Sequence, residues 1–308
     1  MRCVILGGRG FLGRHVGKAM AAAGYEVWSV DSAPGAADDG LPWAAGEVAC
    51  AYADVASWLP LLCGVPDVIV HLASFTVPAV ASANPVEDSE VNLIGTLKLL
   101  MGLRQLSKQP RVIFASSGGA VYGRPLVVPL TEAHPTMPLG AYGVTKLAIE
   151  HHLRAESQLT GLPYRVLRIS NPYGEWQRPH GVQGVIAVFA HRALKRQPVE
   201  VWGDGSVVRD FLYAGDVGTA FVAAAAHRGD TTTFNIGGGV GISVNEILRT
   251  LESLLGHRVD RRMQPARPFD PQVNVLDISL ARSELGWAPE IAFEEGVGRS
   301  LQWLRGVE

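Results

Sequence analysis

Tyr142 and Lys146 stand four residues apart in Tyr142-Gly143-Val144-Thr145-Lys146, within a stretch whose pattern predicts a helix over 141–159. Residues four apart share one face of a helix, a turn from each other. A phenol is a poor base, with a pKa of about 10. An ammonium about 4 Å away contributes roughly 4 kcal/mol at an effective dielectric near 20, enough to draw the phenol down by about three pH units. A base poised there takes a proton from an alcohol while hydride leaves the same carbon. The same spacing also occurs on ordinary solvated helices, so its meaning depends on the elements that position it. A second candidate is the serine-rich run Ser116-Ser117-Gly118-Gly119, placed directly after the apolar segment Arg111 to Ala115.

Arg2 to Leu6 reads as a short buried strand, followed by Gly7-Gly8-Arg9-Gly10-Phe11-Leu12-Gly13 and an Ala-rich helix ending near Gly24. Strand, glycine turn and helix form a phosphate-binding arrangement, because glycines permit close backbone approach and the helix start offers free N–H groups. The spacing is G-x-x-G-x-x-G, a variant of the general dinucleotide fingerprint. Tyr25 to Val30 is a second strand closed by Asp31. A carboxylate about 20 residues beyond the turn suits ribose hydroxyls and repels a 2′-phosphate, which favours NAD over NADP. Residues 32–46 read as a loop and Val48 to Ala53 as a third strand. Asp54 then either meets the adenine amino group or caps a helix from Val55 to Cys63. Asp67 to His71 is a fourth strand, running into Leu72-Ala73-Ser74. A long helix over 84–106 carries Asn92, and Arg111 to Ala115 and Pro163 to Ile169 are the fifth and sixth strands.

This alternation predicts an α/β fold: a doubly wound parallel sheet, Rossmann-like, with ligands at the carboxyl ends of its strands. After Gly174 the pattern changes. Helices are expected near 183–196, 215–227, 243–255, 279–285 and 294–305, with strands at Val199–Trp202 and Phe234–Ile236. No linker separates these pieces. The expected division is a dinucleotide-binding domain over 1–174, with a returning segment at about 214–240, and a smaller interwoven C-terminal substrate lobe over 175–308.

The 308 residues are 47% hydrophobic and 18% charged, which suffices for a large core. A net charge of −2 gives no broad basic field for nucleic acid and no polybasic membrane patch. The cysteines, Cys3, Cys50 and Cys63, lack CxxC spacing, which argues against a disulfide framework or a zinc site and fits a reducing cytoplasm. No signal peptide and no apolar run of bilayer length are evident. No metal site is expected.

The set GGRGFLG, Asp31, HLAS, Asn92, SSGGAVYG, Tyr142-x-x-x-Lys146, NPYG and GDGSVVRDF, in this order, resembles the extended short-chain dehydrogenase/reductase family. Within it the chain looks like NAD-dependent nucleotide-sugar epimerases of the UDP-glucose 4-epimerase type, over nearly its whole length. The resemblance implies that Gly7, Gly10, Phe11, Leu12 and Gly13 hold the NAD pyrophosphate, Asp31 the adenosine ribose, and Asp54 and Val55 the adenine. Leu72, Ala73, Ser74 and Asn92 would line the path to the nicotinamide, and Lys146 would also bond the nicotinamide ribose. On the substrate side it places Asn171 and Arg209 at the UDP diphosphate, Val185 at uracil, and Arg267 and Asp270 at phosphate and ribose. A guanidinium is the fitting fork for a diphosphate. The two long helices, 84–106 and 141–159, would form a homodimer through a four-helix bundle, as in similar enzymes.

Three departures from the family pattern stand out. The Ser or Thr expected four residues before the Tyr of V-Y-G is Gly118; counting from the strand reaches Ser117, taken as the hydroxyl partner of the substrate oxygen. Sugar 4,6-dehydratases carry Asp-Glu where Gly119-Ala120 stand, so the acid for expelling a 6-hydroxyl is missing. A position often occupied by a bulky Tyr is Asn274, leaving room for an enlarged hexose, and Arg178 lies near the sugar loop as a carboxylate partner. The implied activity is C4 epimerisation of a UDP-hexose with NAD regenerated in each cycle. The alternatives are a nucleotide-sugar reductase or decarboxylase on the same Tyr/Lys pair, and a non-catalytic NAD-binding sensor.

Overall fold

The computed structural model describes residues 1–32, 40–62, 64–74, 78–179, 184–266 and 271–307. The strands are β1 (Arg2–Leu6), β2 (Glu26–Asp31), β3 (Gly46–Ala49), β4 (Val68–His71), β5 (Arg111–Ser117), β6 (Tyr164–Ile169), β7 (Asn171–Tyr173), β8 (Val199–Trp202), β9 (Val208–Tyr213), β10 (Thr233–Ile236), β11 (Gly241–Ser243), β12 (Arg261–Gln264) and β13 (Val273–Asn274). The helices are α1 (Phe11–Ala22), α2 (Val55–Trp58), α3 (Pro78–Ala83), α4 (Pro85–Asp88), α5 (Gly95–Leu103), α6 (Ala141–Thr160), α7 (Val185–Leu194), α8 (Ala214–Ala226), α9 (Val244–Leu255) and α10 (Phe293–Gly306).

Seven strands form one parallel sheet in the order β10-β6-β5-β4-β1-β2-β3. Such strands are buried on both faces, which is why they read as near-continuous apolar runs. On one face Val16 and Met20 of α1 and Val217 and Phe221 of α8 pack against Ile5, Val70 and Ile113. On the other, Leu99 and Leu103 of α5 and Ile149 and Leu153 of α6 cover Val4, Ile69 and Phe114. The chain winds from β1 outward to β3 and then returns through β4 to the opposite side. The crevice at the carboxyl ends of β1 and β4 is therefore the switch point where ligands of such sheets bind.

The second unit joins β7, β9, β11 and β13 in one small sheet and β8 with β12 in another. Its core gathers Tyr173, Phe189, Val201, Ile247, Leu251, Val297 and Leu301. The chain between these pieces returns to the large sheet, where α8 packs on α1 and β10 adds the edge strand beside β6. The returning segment at about 214–240 thus corresponds to α8 and β10.

Several boundaries differ from the sequence reading. The third strand is Gly46–Ala49, not 48–53; it registers Gly46 opposite Trp28, where a Cβ would run into the indole. The helix expected to Cys63 stops at Trp58 and tightens into a 3₁₀ turn over Leu59–Leu61, where Pro60 lacks the N–H an α-helix would use. The long helix over 84–106 begins on an Asn84 cap, but widens to a π turn over Ser89–Ile94 before α5. The strand β5 runs on to Ser117, because Ser116 and Ser117 continue to pair with Arg168 and Ile169. The segment expected as a helix over 279–285 closes as a π turn over Ala281–Leu285.

Candidate active site

A cleft of about 630 Å³ opens at the carboxyl ends of β1, β4, β5 and β6 and is closed on its far side by the second unit. Its lining includes Gly7, Gly10, Phe11, Leu12, Gly13, Leu72, Ser74, Ser117, Tyr142, Lys146, Asn171, Val185 and Arg209. Residues from Gly7 to Arg209 in the sequence are thereby brought to one space.

Two helices begin at this cleft. The first, α1, starts after Gly10, which offers no side-chain cap, so its first backbone N–H groups face the cleft unclaimed by a cap. Gly7 has φ +90° and a Cβ there would lie 3.0 Å from the Ala73 nitrogen, and one on Gly13 would collide with the Gly7 carbonyl. The turn is thus pressed against the end of β4, and the helix against the turn. The second, α7, starts at Val185 after Gly184, which has φ +92° and again no side-chain cap. Each helix start carries roughly half a positive charge and suits an anion. These features suit two anionic groups.

Asp31 closes β2 and accepts hydrogen bonds from Ser29 Oγ at 2.7 Å and the Arg9 backbone N–H at 3.0 Å. Burial nevertheless holds its carboxyl above the usual range. Arg9 is paired with Glu47. This places the carboxylate at the outer end of the glycine turn, where a ribose diol would arrive.

Tyr142 and Lys146 lie on one face of α6 and both line the cleft. Lys146 is 5% exposed; its Nζ donates to the Ala115 carbonyl at 2.9 Å and stands 4.8 Å from the Phe114 ring centre and 5.6 Å from that of Tyr142. The expected lowering of the phenol is not seen. Burial, with the Asp88 carboxylate adding to it, pushes Tyr142 up to about 12. Burial brings Lys146 down to about 8, against the pull of Asp88 and Glu150. Desolvation of the pair outweighs the attraction expected of an ammonium in a medium of dielectric near 20.

The place of the hydroxyl is decided by geometry. A Cβ at Gly118 would lie 2.5 Å from Leu276 Cδ1 and 3.1 Å from the Arg168 carbonyl, pointing into the protein. A Cβ at Gly119 would lie 3.9 Å from both Ser117 Oγ and Asn171 Oδ1, with space to spare. A hydroxyl at 118 therefore could not reach the cleft, whereas Ser117 lines it.

On the second unit's side, Asn171 Nδ2 donates to the Asp210 carbonyl at 2.8 Å, which fixes its amide at the rim of β7. Arg209 Nη1 donates to the carbonyls of Val208 and Pro271. Asp210 is fully buried; it accepts from the backbone N–H groups of Gly238, Gly239 and Leu276, yet burial pushes its carboxyl up to about 6.

Other expected residues stand behind or beside the lining. Asp54 is exposed at the start of α2 and accepts from Ser57 Oγ at 2.5 Å without capping the helix through its side chain. Val55 is buried in the core with Trp58. Ala73 sits under Gly7, and Asn92, 4% exposed, turns its amide to Asp88 at 2.9 Å. Arg178 is exposed on the loop after Gly174. Asn274 is buried on β13, paired with Arg209, beside the cleft rather than on its wall. Arg267 and Asp270 lie outside the described residues.

Three features were not singled out from sequence. Asp88 is wholly buried and accepts from Asn92 and Thr145. Glu150, one turn beyond Lys146, is held by Arg168 at 2.7 Å and by Ser116 Oγ at 2.5 Å. Tyr122, of the V-Y-G run, links Arg168 to Asn235 through bonds of 3.0 and 2.6 Å. A signal existed for the first two, since Asp88 precedes Asn92 by four residues and Glu150 follows Lys146 by four. Among the described residues there is no group of three or more metal-ligating side chains, and no helix long and apolar enough to cross a membrane.

A dinucleotide-type sheet, an uncapped helix behind a glycine turn, and a Tyr/Lys pair facing it define a nucleotide-dependent oxidoreductive class of site. Residues 3–237 match the model of the NAD dependent epimerase/dehydratase family, and the chain belongs to that family. It is 34% identical over 302 residues to a putative UDP-glucose 4-epimerase of Methanocaldococcus jannaschii, covering 98% of each chain. It superposes on the Thermotoga maritima UDP-glucose 4-epimerase solved with UDP-glucose, with a TM-score of 0.92 and 33% identity, covering 100% of this chain and 99% of that one. The Thermus thermophilus UDP-glucose 4-epimerase in complex with NAD gives a TM-score of 0.90 and 33% identity, with 100% of both chains covered.

Proposed function

We propose that this protein is an NAD-dependent epimerase that inverts C4 of a UDP-hexose through a 4-keto intermediate. The observation that carries the reading is the convergence of Tyr142, Lys146 and Ser117 on a cleft where two uncapped helices begin. Gly7, Gly10, Phe11, Leu12 and Gly13 hold the pyrophosphate of NAD, Asp31 its adenosine ribose, and Asp54 and Val55 border the adenine. Leu72, Ala73 and Ser74 flank the nicotinamide end, with Asn92 behind them and Lys146 on the ribose. NAD would supply a reversible hydride acceptor in this cleft.

Tyr142 takes the proton of the 4′-hydroxyl, and Ser117 hydrogen-bonds the same oxygen. Lys146 favours the phenolate that must form, against the burial that keeps the phenol neutral. Asn171, Arg209 and the start of α7 at Val185 hold the nucleotide, with Arg267 and Asp270 on the same side. The sugar turns while its nucleotide stays clamped, so that the hydride lost from C4′ would come back to the opposite face of that carbon as Tyr142 returns the proton to the 4′-oxygen. The open space at Gly119 favours a hexose with an added substituent, and Arg178 offers a partner to a carboxylate; Asn274, buried beside the cleft, does not set that space. Residues 1–174 with 214–240 form the NAD-binding domain, and the rest of 175–308 the nucleotide-sugar lobe.

Two copies pair through the outer faces of α5 and α6. Met101 on α5 and Val144 and Leu159 on α6, 62%, 54% and 76% exposed, supply apolar side chains for such a contact.

The test is to incubate purified protein, shown to hold NAD, with UDP-glucose, UDP-N-acetylglucosamine and UDP-glucuronate. At least one is converted to its C4 epimer with no net NADH formed. Failure with every one of them would overturn the reading, and stoichiometric consumption of NADH would point to a reductase instead.

A further inference from the structure

Beneath the Tyr/Lys pair lies a carboxylate that the reaction scheme does not use. Asp88 ends α4, where the helix widens into the π turn, and is wholly inaccessible to solvent. Its Oδ1 accepts from Asn92 Nδ2 at 2.9 Å, and its Oδ2 accepts from Thr145 Oγ1 at 2.5 Å. Thr145 immediately precedes Lys146 and lies one turn after Tyr142 on α6. Widened turns of this kind concentrate at functional sites because they re-aim one or two side chains.

We infer that Asp88 is a positioning residue for the catalytic pair, a buried carboxylate that fixes α6 at Thr145 and supplies the counter-charge to the Lys146 ammonium. The inference rests on the catalytic reading of Tyr142 and Lys146 given above. Burying an ion costs several kcal/mol unless an opposite charge accompanies it. Lys146, 5% exposed, faces charged and titratable groups on its own helix and on two other elements, β4 and α4. Glu150 on its own helix is bidentate with Arg168 of β6, so much of its field is already met. His71 of β4 is pushed down to about 3 by burial and by Lys146, and so is neutral. Tyr142 is neutral until it reacts. Asp88 supports the charged form of Lys146 and opposes ionisation of Tyr142. One carboxylate therefore acts on both members in the same direction, and its removal shifts both titrations toward lower pH.

The experiment uses the full chain labelled isotopically at lysine Cε, with Lys146 assigned against Lys18, Lys98, Lys108 and Lys195 by Lys146→Arg. In native protein the Lys146 resonance is expected to titrate near 8, below an ordinary lysine because the ammonium is buried. In Asp88→Asn, whose amide oxygen still accepts one of the two bonds, and in Asp88→Ser, the midpoint falls by about one pH unit. Both limbs of the epimerase pH profile move acidward together by a similar amount. Thr145→Val keeps the charge and leaves the midpoint in place. A folded Asp88→Asn with an unmoved or raised midpoint, or with lower turnover and an unshifted profile, overturns the inference.

If neither Asp88 variant folds, native protein decides. A buried counter-charge is hardly screened, so the Lys146 midpoint stays fixed between about 0.05 and 0.5 M salt, and a salt-driven shift overturns the inference. Absence of turnover in native protein would instead defeat the epimerase reading, with the lysine titration still judging Asp88.

Discussion

Placing a hydroxyl at position 118, as the family pattern prefers, would press a side chain into Leu276, which is fully buried among Val121, Tyr122 and Leu130. Gly118→Ser is expected to lose about 1–3 kcal/mol in denaturant unfolding without adding activity, since overpacking a closed core strains it. Tyr142→Phe removes the only phenol on the cleft that shares a helix face with the lysine. It should lower epimerase turnover by about 10² to 10⁴-fold while NAD binding, followed by equilibrium dialysis, is retained. Lys146 is held down to about 8, and only its protonated form assists a phenolate. Activity should therefore fall as pH rises through about 8, a limb that a rate–pH profile would resolve. If activity stays level to pH 10, the ammonium is not required.

The helices and strands that carry the site were legible for a physical reason. Strands buried on both faces leave apolar runs, and the glycine turn announces the start of α1, so the first six strands and the helix bearing Tyr142 fall within a few residues of their expected places. What sequence could not give was depth. Asp88, Glu150 and Arg168 have the types of surface residues, yet all three are buried, and only packing decides this. The strands β7, β11 and β13 are two or three residues long and exist because β9 offers them partners. Depth is also why the phenol is raised rather than lowered in the structure. The Glu150–Arg168 pair joins α6 to β6 and, through Ser116 and Tyr122, to β5 and β10. Removing one partner leaves an uncompensated buried charge, so Arg168→Met should cost about 3–5 kcal/mol. Thermal or denaturant unfolding of Arg168→Met and of the double variant with Glu150→Leu checks this, the double variant recovering part of the loss.

At the scale of the molecule, the exposed apolar faces of α5 and α6 bear on assembly. Replacing Met101 and Val144 together by Glu should turn a dimer into a monomer in sedimentation experiments while leaving the sheet intact. A native chain that sediments as a monomer would reject the pairing. The path of the backbone has another effect. It passes between the two units after Ile169, after Tyr213 and between Ile236 and Gly241, and twice more beyond β13, first to bury Ala281 and Trp287 against the large sheet and then to place Val297 and Leu301 of α10 in the second core. Among the described residues five separate threads therefore bridge the walls of the cleft. Any gaping of the walls must flex all five together, which leaves the walls little room to move apart. Neither wall could be produced as a free-standing fragment, because cutting after Tyr173 strands the β10 edge and α8 on the wrong piece.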